Sequence, residues 1–201
     1  DRVLILHEDV QIKQLVRGAS HAAWTLTTVT PSLYPTFDYT VLGGTQYRVA
    51  GFTFTPAATT GTAIILTASS AIFTSNHIGG LFFGNGGTAR ITAVNALGTL
   101  ADMTILNDFL STAAIEGKLA SLKETMWNDG GGATPGVKRG WPSRGVFYLN
   151  RLILGNSLLL KNICALSTGG VYDEFDDSEV DALAAFSVSF NGKGEQTIQS
   201  M

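Results

Sequence analysis

Six carboxylates, Asp173, Glu174, Asp176, Asp177, Glu179 and Asp181, crowd the stretch "VYDEFDDSEVDALAAF" at 171–186, in a chain with sixteen Asp and Glu in all. Side chains of this type at this density can hold a cation, repel an anion, meet a basic partner or keep a turn solvated. A calcium loop of the EF-hand kind needs a glycine at its sixth place and a glutamate at its twelfth. Counted from Asp173, those places hold Ser178 and Ala184, so the register fails. A cation site of other geometry keeps Asp173, Asp176, Asp177, Glu179 and Asp181 as its only candidates, set against a solvated acidic turn.

Other chemistry finds less support. His7, His21 and His77 lie in three separate segments, none with a second ligand at metal spacing, and no zinc site follows. "GNGGTAR" lacks both the Gly-Lys-Ser/Thr of a phosphate loop and the third glycine of a dinucleotide turn, and reads as a hairpin turn between strands. There is no Gly-x-Ser-x-Gly elbow for a nucleophilic serine. Cys164 is the single cysteine, which excludes an intrachain disulfide, and "KNICALS" reads as the setting of a small buried residue. No catalytic residue and no cofactor is expected. The three tryptophans could stack on sugars, but Trp141, before Pro142 and after the basic "VKRG", reads better as a buried anchor with its N–H satisfied.

The elements that would carry these residues are strands. With 201 residues and 45% hydrophobic content the chain can bury a core, while only 14% is charged and 23 residues are glycine. That composition suits short strands and tight turns, or a subunit that buries surface against its own copies. "RVLILH", "VQIKQLV" and "AAWTLTTV" alternate as three strands of a meander, and Pro31 and Pro35 then interrupt ladder pairing. Between about 47 and 107 lies a nearly uncharged block with four β-like runs, "TAIILTAS", "GLFFG", "ARITAVN" and "LADMTIL", expected to form a small barrel. "TSNHIGG" within it predicts one helical turn capped by Ser75 or Asn76.

Ile115, Leu119, Leu122 and Met126 recur at near-helical spacing, but Gly117 sits among them, so a short helix and irregular chain stay open for 109–129. "WPSRGVFYLNRLILGNSLLLKNICALSTGG" reads as a β-meander with turns at Asn150-Arg151 and Gly155-Asn156. The expected division is 1–46 meander and linker, 47–107 inserted barrel-like module, 108–138 connecting segment and loop, and 139–201 propeller-like meander. The fold class is all-β and mainly antiparallel, the small barrel lying between incomplete propeller-like sheets. Both ends of the sequence look cut from something longer. No apolar run is long enough to span a bilayer as a helix.

Net charge is −3, with −1 over 1–38, 0 over 39–110, +4 over 111–172 and −6 over 173–201. The last two stretches are complementary, and the balance argues against non-specific binding of nucleic acid.

"RGWPSRGVFYLNRLILGNS", then "NICALSTGGVYDEFDD", then "DALAAFSVSFNGKGEQTIQSM" resembles the nozzle, or tail tubular protein B-type, proteins of short-tailed bacteriophages and related prophages. Arg139, Gly140, Trp141 and Pro142 match an Arg-Gly-aromatic-Pro turn; Arg151, Leu152 and Gly155 match a hairpin; Ser167, Gly170, Tyr172 and Phe175 match a strand and turn. "VLILHEDVQIKQLVRGASHAAWTLT" is similar to a strand pair of the same proteins, and "TASSAIFTSNHIGGLFFGNGGTARITAVN" to a small β-module inserted in them. One departure is "NSLLLKNICAL", where the family has a Gln/Pro-rich turn and a Trp-containing strand.

The resemblance implies a structural virion protein of the phage tail, made in the bacterial host cytoplasm. It implies a ring-shaped homo-oligomer that meets portal-adaptor proteins and tail fibres or spikes, and through which the genome passes without sequence-specific binding. The acidic run, with Arg139 and Trp141, would then face either the channel or a subunit interface. The alternatives are a carbohydrate- or host-receptor-binding β module and, third, a depolymerase, which needs paired carboxylates.

Overall fold

The computed structural model describes residues 2–42, 47–131, 136–178 and 183–190, and it is all-β with antiparallel sheets. Its contacts divide the chain into two compact units: 1–35 with 126–129 and 139–201, and 36–125 with 130–138. The second unit therefore extends beyond the 47–107 block on both sides.

The first unit opens with β1 (Arg2–His7), β2 (Val10–Arg17) and β3 (Trp24–Thr28), a three-stranded meander as the alternation predicts. Because side chains alternate across a strand, the register sorts them into two faces. Leu4 and Gln14 are paired on one face, with the buried Ile12 on the same side. Val3, Leu15 and Leu26 are paired in one row on the other face, where Val3 is 53% exposed and Leu26 58%.

The second unit begins at β4 (Thr36–Phe37) and continues with β5 (Thr53–Pro56), β6 (Ile64–Ala68), β7 (Leu81–Gly84), β8 (Gly87–Val94), β9 (Leu100–Asn107), β10 (Ile115–Glu116), β11 (Ser121–Leu122) and β12 (Glu124–Thr125). Seven of these form one sheet in the order β10-β5-β6-β9-β8-β7-β11, while β12 pairs with β4. The two edges of this sheet are β10 and β11, joined only by the four residues 117–120, of which Gly117–Leu119 form a 3-10 turn. A flat sheet of seven strands would hold its edges about 29 Å apart, beyond the about 17 Å that the five peptide steps from Glu116 to Ser121 span. The sheet must curl, and it forms a half-barrel.

Its interior is filled around Phe54, whose ring lies 5.1–6.1 Å from those of Tyr47, Phe52, Phe73 and Phe82 in edge-on or tilted contacts. Such pairs add to the stabilisation from apolar burial. The expected hairpin turn is present at Asn85-Gly86, both residues having positive φ, between the paired Gly84 and Gly87.

One local expectation changes here, and one open choice is decided. The helical turn in "TSNHIGG" is a 3-10 turn over Ser75–His77, but its N-cap is Thr74, whose N–H donates to Nδ1 of the buried His77 at 3.0 Å. The near-helical spacing over 109–129 does not make an α-helix. Ile115 and Leu122 are buried from two strands, while Leu119 is 71% exposed. Gly117 decides the matter: its N–H donates to the Phe52 carbonyl oxygen, and a Cβ there would overlap the Tyr47 carbonyl oxygen.

The chain returns to the first unit, where β13 (Arg144–Tyr148), β14 (Arg151–Gly155), β15 (Ile163–Leu166) and β16 (Phe186–Ser189) form a four-stranded antiparallel meander in chain order. The β13–β14 turn falls at Leu149-Asn150 rather than Asn150-Arg151, and both residues have positive φ. A two-residue hairpin between right-twisted strands favours positive φ at both positions, and asparagine tolerates it well. Cys164 is buried in β15, as its surroundings predict. No helix among the described residues is long and apolar enough to cross a membrane.

Candidate functional site

The acidic segment is tethered by its backbone. The Asp173 carbonyl oxygen accepts from Ser32 N–H at 2.7 Å and from Ser32 Oγ at 3.1 Å. Phe175 N–H donates to the Leu33 carbonyl oxygen at 3.0 Å, and Thr168 N–H to that of Glu174 at 2.8 Å. Between the carboxylates the Phe175 ring is buried, edge-on to Trp127 with centroids 5.3 Å apart. The loop is therefore held by a buried aromatic residue and by main-chain bonds, neither of which uses carboxylate charge.

Asp176 closes a local turn, its Oδ1 accepting from Ser178 N–H at 2.9 Å. Asp173 is exposed, and Glu174, Asp176 and Asp177 are half-buried. Among the described residues no three His, Cys, Asp or Glu side chains converge as metal ligands. Glu179 and Asp181 lie outside the described residues.

Arg139 and Trp141, expected at a channel wall or interface, are buried, at 7% and 4% exposed. Gly140 between them has φ +74°, and a Cβ there would meet Leu158 and the Glu8 carbonyl oxygen. That left-handed turn buries the Trp141 ring, whose Nε1–H donates to Asp129 Oδ1 at 2.6 Å while its backbone N–H donates to Glu8. Tyr34 packs beside it, centroids 6.2 Å apart, and burial pushes the Tyr34 phenol above its ordinary pKa. Trp141 is an anchor, so its ring face is not open for stacking on a sugar.

The remaining singled-out residues come together around the β14–β15 step. Arg151 Nη1 donates to the carbonyl oxygens of Ser167 at 2.5 Å and Ala184 at 2.9 Å, with its guanidinium 5.4 Å from the Phe186 ring centroid. Ser167 Oγ accepts from Leu152 N–H at 2.9 Å. Gly170 N–H donates to the Asn150 carbonyl oxygen at 2.8 Å, and Tyr172 Oη to Asn150 Oδ1 at 2.9 Å. These are donors and acceptors closing loops onto strands; no nucleophile and base are poised together among them.

A cleft of about 410 Å³ opens beside this step, within the first unit. Its walls come from the cross-strand pairs Leu4/Gln14 and Phe147/Leu152 and from the loop containing Tyr172 and Asp173. The sequence singles out Tyr172 and Asp173 but not Leu4 and Gln14, which lie on the β1–β3 sheet far away in the chain, nor Phe147 on β13. Only the strand alternation signalled that Leu4 and Gln14 share a face. No protein-family model matches this chain, and no curated protein matches it significantly.

Proposed function

We propose that the chain is a non-enzymatic structural protein of a short-tailed phage virion, part of a tail nozzle that assembles as a ring and lets the genome pass. The observation that carries this reading is the use made of the residues behind the resemblance. Arg151, Leu152, Ser167, Gly170, Tyr172 and Phe175 tie the β14–β15 step and its loop together through hydrogen bonds and a buried ring. Residues given over to rigidity are what a stiff collar requires, and none of them is placed for bond-breaking chemistry.

Two further features support assembly and passage. The outer face of the β1–β3 sheet carries exposed Val3, Ile5, Trp24 and Leu26, an apolar surface that a subunit covers on assembly. A net charge of −3, with the −6 stretch at the C-terminal end, suits a wall that does not hold phosphates. Portal-adaptor proteins and tail fibres or spikes are the partners of this reading.

Immunogold electron microscopy of phage particles from the source strain, with antibodies raised against the purified chain, tests it. Label at the tail is expected, and labelled particles should lose it after competition with free chain. Tailed particles that bind no antibody while the chain stays in the cell lysate would overturn the reading.

A further inference from the structure

We propose that the cleft beside the β14–β15 step binds a neutral hexopyranoside. The inference does not depend on the nozzle reading, and it uses none of the buried tryptophans.

A pyranose ring presents an apolar C–H face and a rim of hydroxyl groups. Its recognition calls for an aromatic surface with planar polar groups beside it, in a cleft of small-molecule size. The cleft, at about 410 Å³, falls within the about 300–1,000 Å³ usual for such sites. Phe147 and Tyr172 supply the aromatic surface, and they remain 58% and 43% exposed although their rings contact each other edge-on at 5.1 Å. Large aromatic rings left facing solvent at the mouth of a cleft, rather than in the core, are placed to meet a ligand. Leu4, Val29 and Leu152 provide the apolar lining behind them.

The polar groups are of the required kind. Arg2, Gln14 and Asp173 all line the cleft. A guanidinium, an amide and a carboxylate are planar groups, each able to bridge two neighbouring hydroxyls. One cation and one anion leave the lining without net charge, which favours a neutral ligand over a phosphorylated or carboxylated one.

The site is also held in shape before any ligand arrives. The Tyr172 hydroxyl is engaged by Asn150 Oδ1, so the phenol is fixed and its ring presented. Asn150 is itself tied through its carbonyl oxygen to Gly170 N–H. Asp173 is pinned through its carbonyl oxygen by Ser32, which leaves its side chain exposed at the rim. Preorganisation of this sort lowers the ordering cost of binding.

Saturation-transfer NMR on the purified full chain with methyl α- and β-glucopyranoside, galactopyranoside and mannopyranoside tests the proposal. At least one is expected to bind, with transfer strongest at the ring protons of one face. Tyr172→Ala and Phe147→Ala should each weaken binding by about fivefold or more. Tyr172→Phe, which keeps the ring, should bind within about threefold of the parent, and Asp173→Asn should weaken binding while leaving the aromatic contacts detectable. Heteronuclear NMR spectra of each variant check that the fold persists. The proposal is overturned if no glycoside binds the folded parent chain. It is equally overturned if binding survives both alanine substitutions in folded variants, or if only glycosides bearing a phosphate or carboxylate bind.

Discussion

Arg151 on β14 reaches across to the carbonyl oxygen of Ser167, just past the end of β15, and the Ser167 hydroxyl in turn accepts the backbone N–H of Leu152. The two residues close a reciprocal link between adjacent strands beyond their regular ladder. Arg151 also holds the Ala184 carbonyl oxygen, which fixes the entry to β16. Charge-assisted bonds of this kind contribute more than neutral ones. Arg151→Ala is expected to lower unfolding stability by about 2 kcal/mol, after discounting for partial exposure of the side chain. Arg151→Lys should recover less than half, because Nη1 meets both oxygens from a planar guanidinium set against the Phe186 ring, and an ammonium does not reproduce that planar contact. Urea denaturation followed by near-UV circular dichroism reads both, and an unchanged midpoint for Arg151→Ala would remove this link as a stabilising joint.

Gly117 holds the half-barrel closed. It lies in the short turn joining the two edge strands, and a side chain there would drive into the Tyr47 carbonyl. Gly117→Ala is therefore expected to cost about 3 kcal/mol, at the upper end for overpacking, because the clashing atom is backbone and cannot rotate away. The damage should be local. The Leu122 N–H donates to the Tyr47 hydroxyl at 2.8 Å in the protein, so its hydrogen exchange should accelerate in the variant while amides of β13 and β14 keep their protection. Equal loss of protection in both units would show instead that they unfold as one.

How far the sequence foretold these features follows from the range of the interactions. The alternation in "RVLILH" and "VQIKQLV" predicts β1 and β2 because period two is a local property. The runs from "TAIILTAS" to "LADMTIL" likewise become β6 to β9. Ile115 and Leu122 mislead because their spacing matches a helical face by coincidence; the strands that pair with theirs, β5 and β7, are more than thirty residues away in the chain. Trp141 was legible as an anchor from its neighbours, but its partners Asp129 and Glu8 were not. The acidic run was visible as charge, yet it is Phe175, an apolar residue among acids, that fixes where the loop lies. The cleft assembles from five separated stretches, of which strand alternation marks only that Leu4 and Gln14 share a face.

Stability should fall on the alkaline side in a way that three residues explain. Burial raises the Cys164 thiol above its ordinary pKa of 9.0, and burial likewise raises the Tyr34 and Tyr47 phenols above 10.0. For each, the folded state holds its proton more tightly than the unfolded chain. The stabilisation is complete below the unfolded pKa and is lost as pH rises from that value through the folded one. Unfolding free energy should thus be insensitive to these groups at pH 8, decline above about pH 9 through Cys164, and decline further above about pH 10 through Tyr34 and Tyr47. Cys164→Ala should flatten the first part of the decline only. Urea titrations between pH 8 and 11 provide the comparison; identical slopes for parent and variant would show that the thiol contributes nothing. The native thiol should also react slowly with an aromatic disulfide reagent at pH 8 and rapidly in denaturant.

The outer face of the first sheet separates a requirement for folding from a requirement for assembly. Leu26 sits on β3 opposite Leu15, in the row that Val3 completes, and its side chain is largely in solvent. Since it leaves little apolar area buried within its own unit, Leu26→Glu should change the unfolding free energy by no more than about 0.5 kcal/mol. In an assembled ring the same substitution would bury a carboxylate against apolar side chains, which is costly without a partner. Sedimentation velocity should therefore show the parent chain forming larger species as concentration rises and Leu26→Glu staying monomeric, with Leu26→Met behaving as the parent does. If the charge leaves the association unchanged, this face is not the subunit contact, and the exposed Val3 and Leu26 must serve some other purpose.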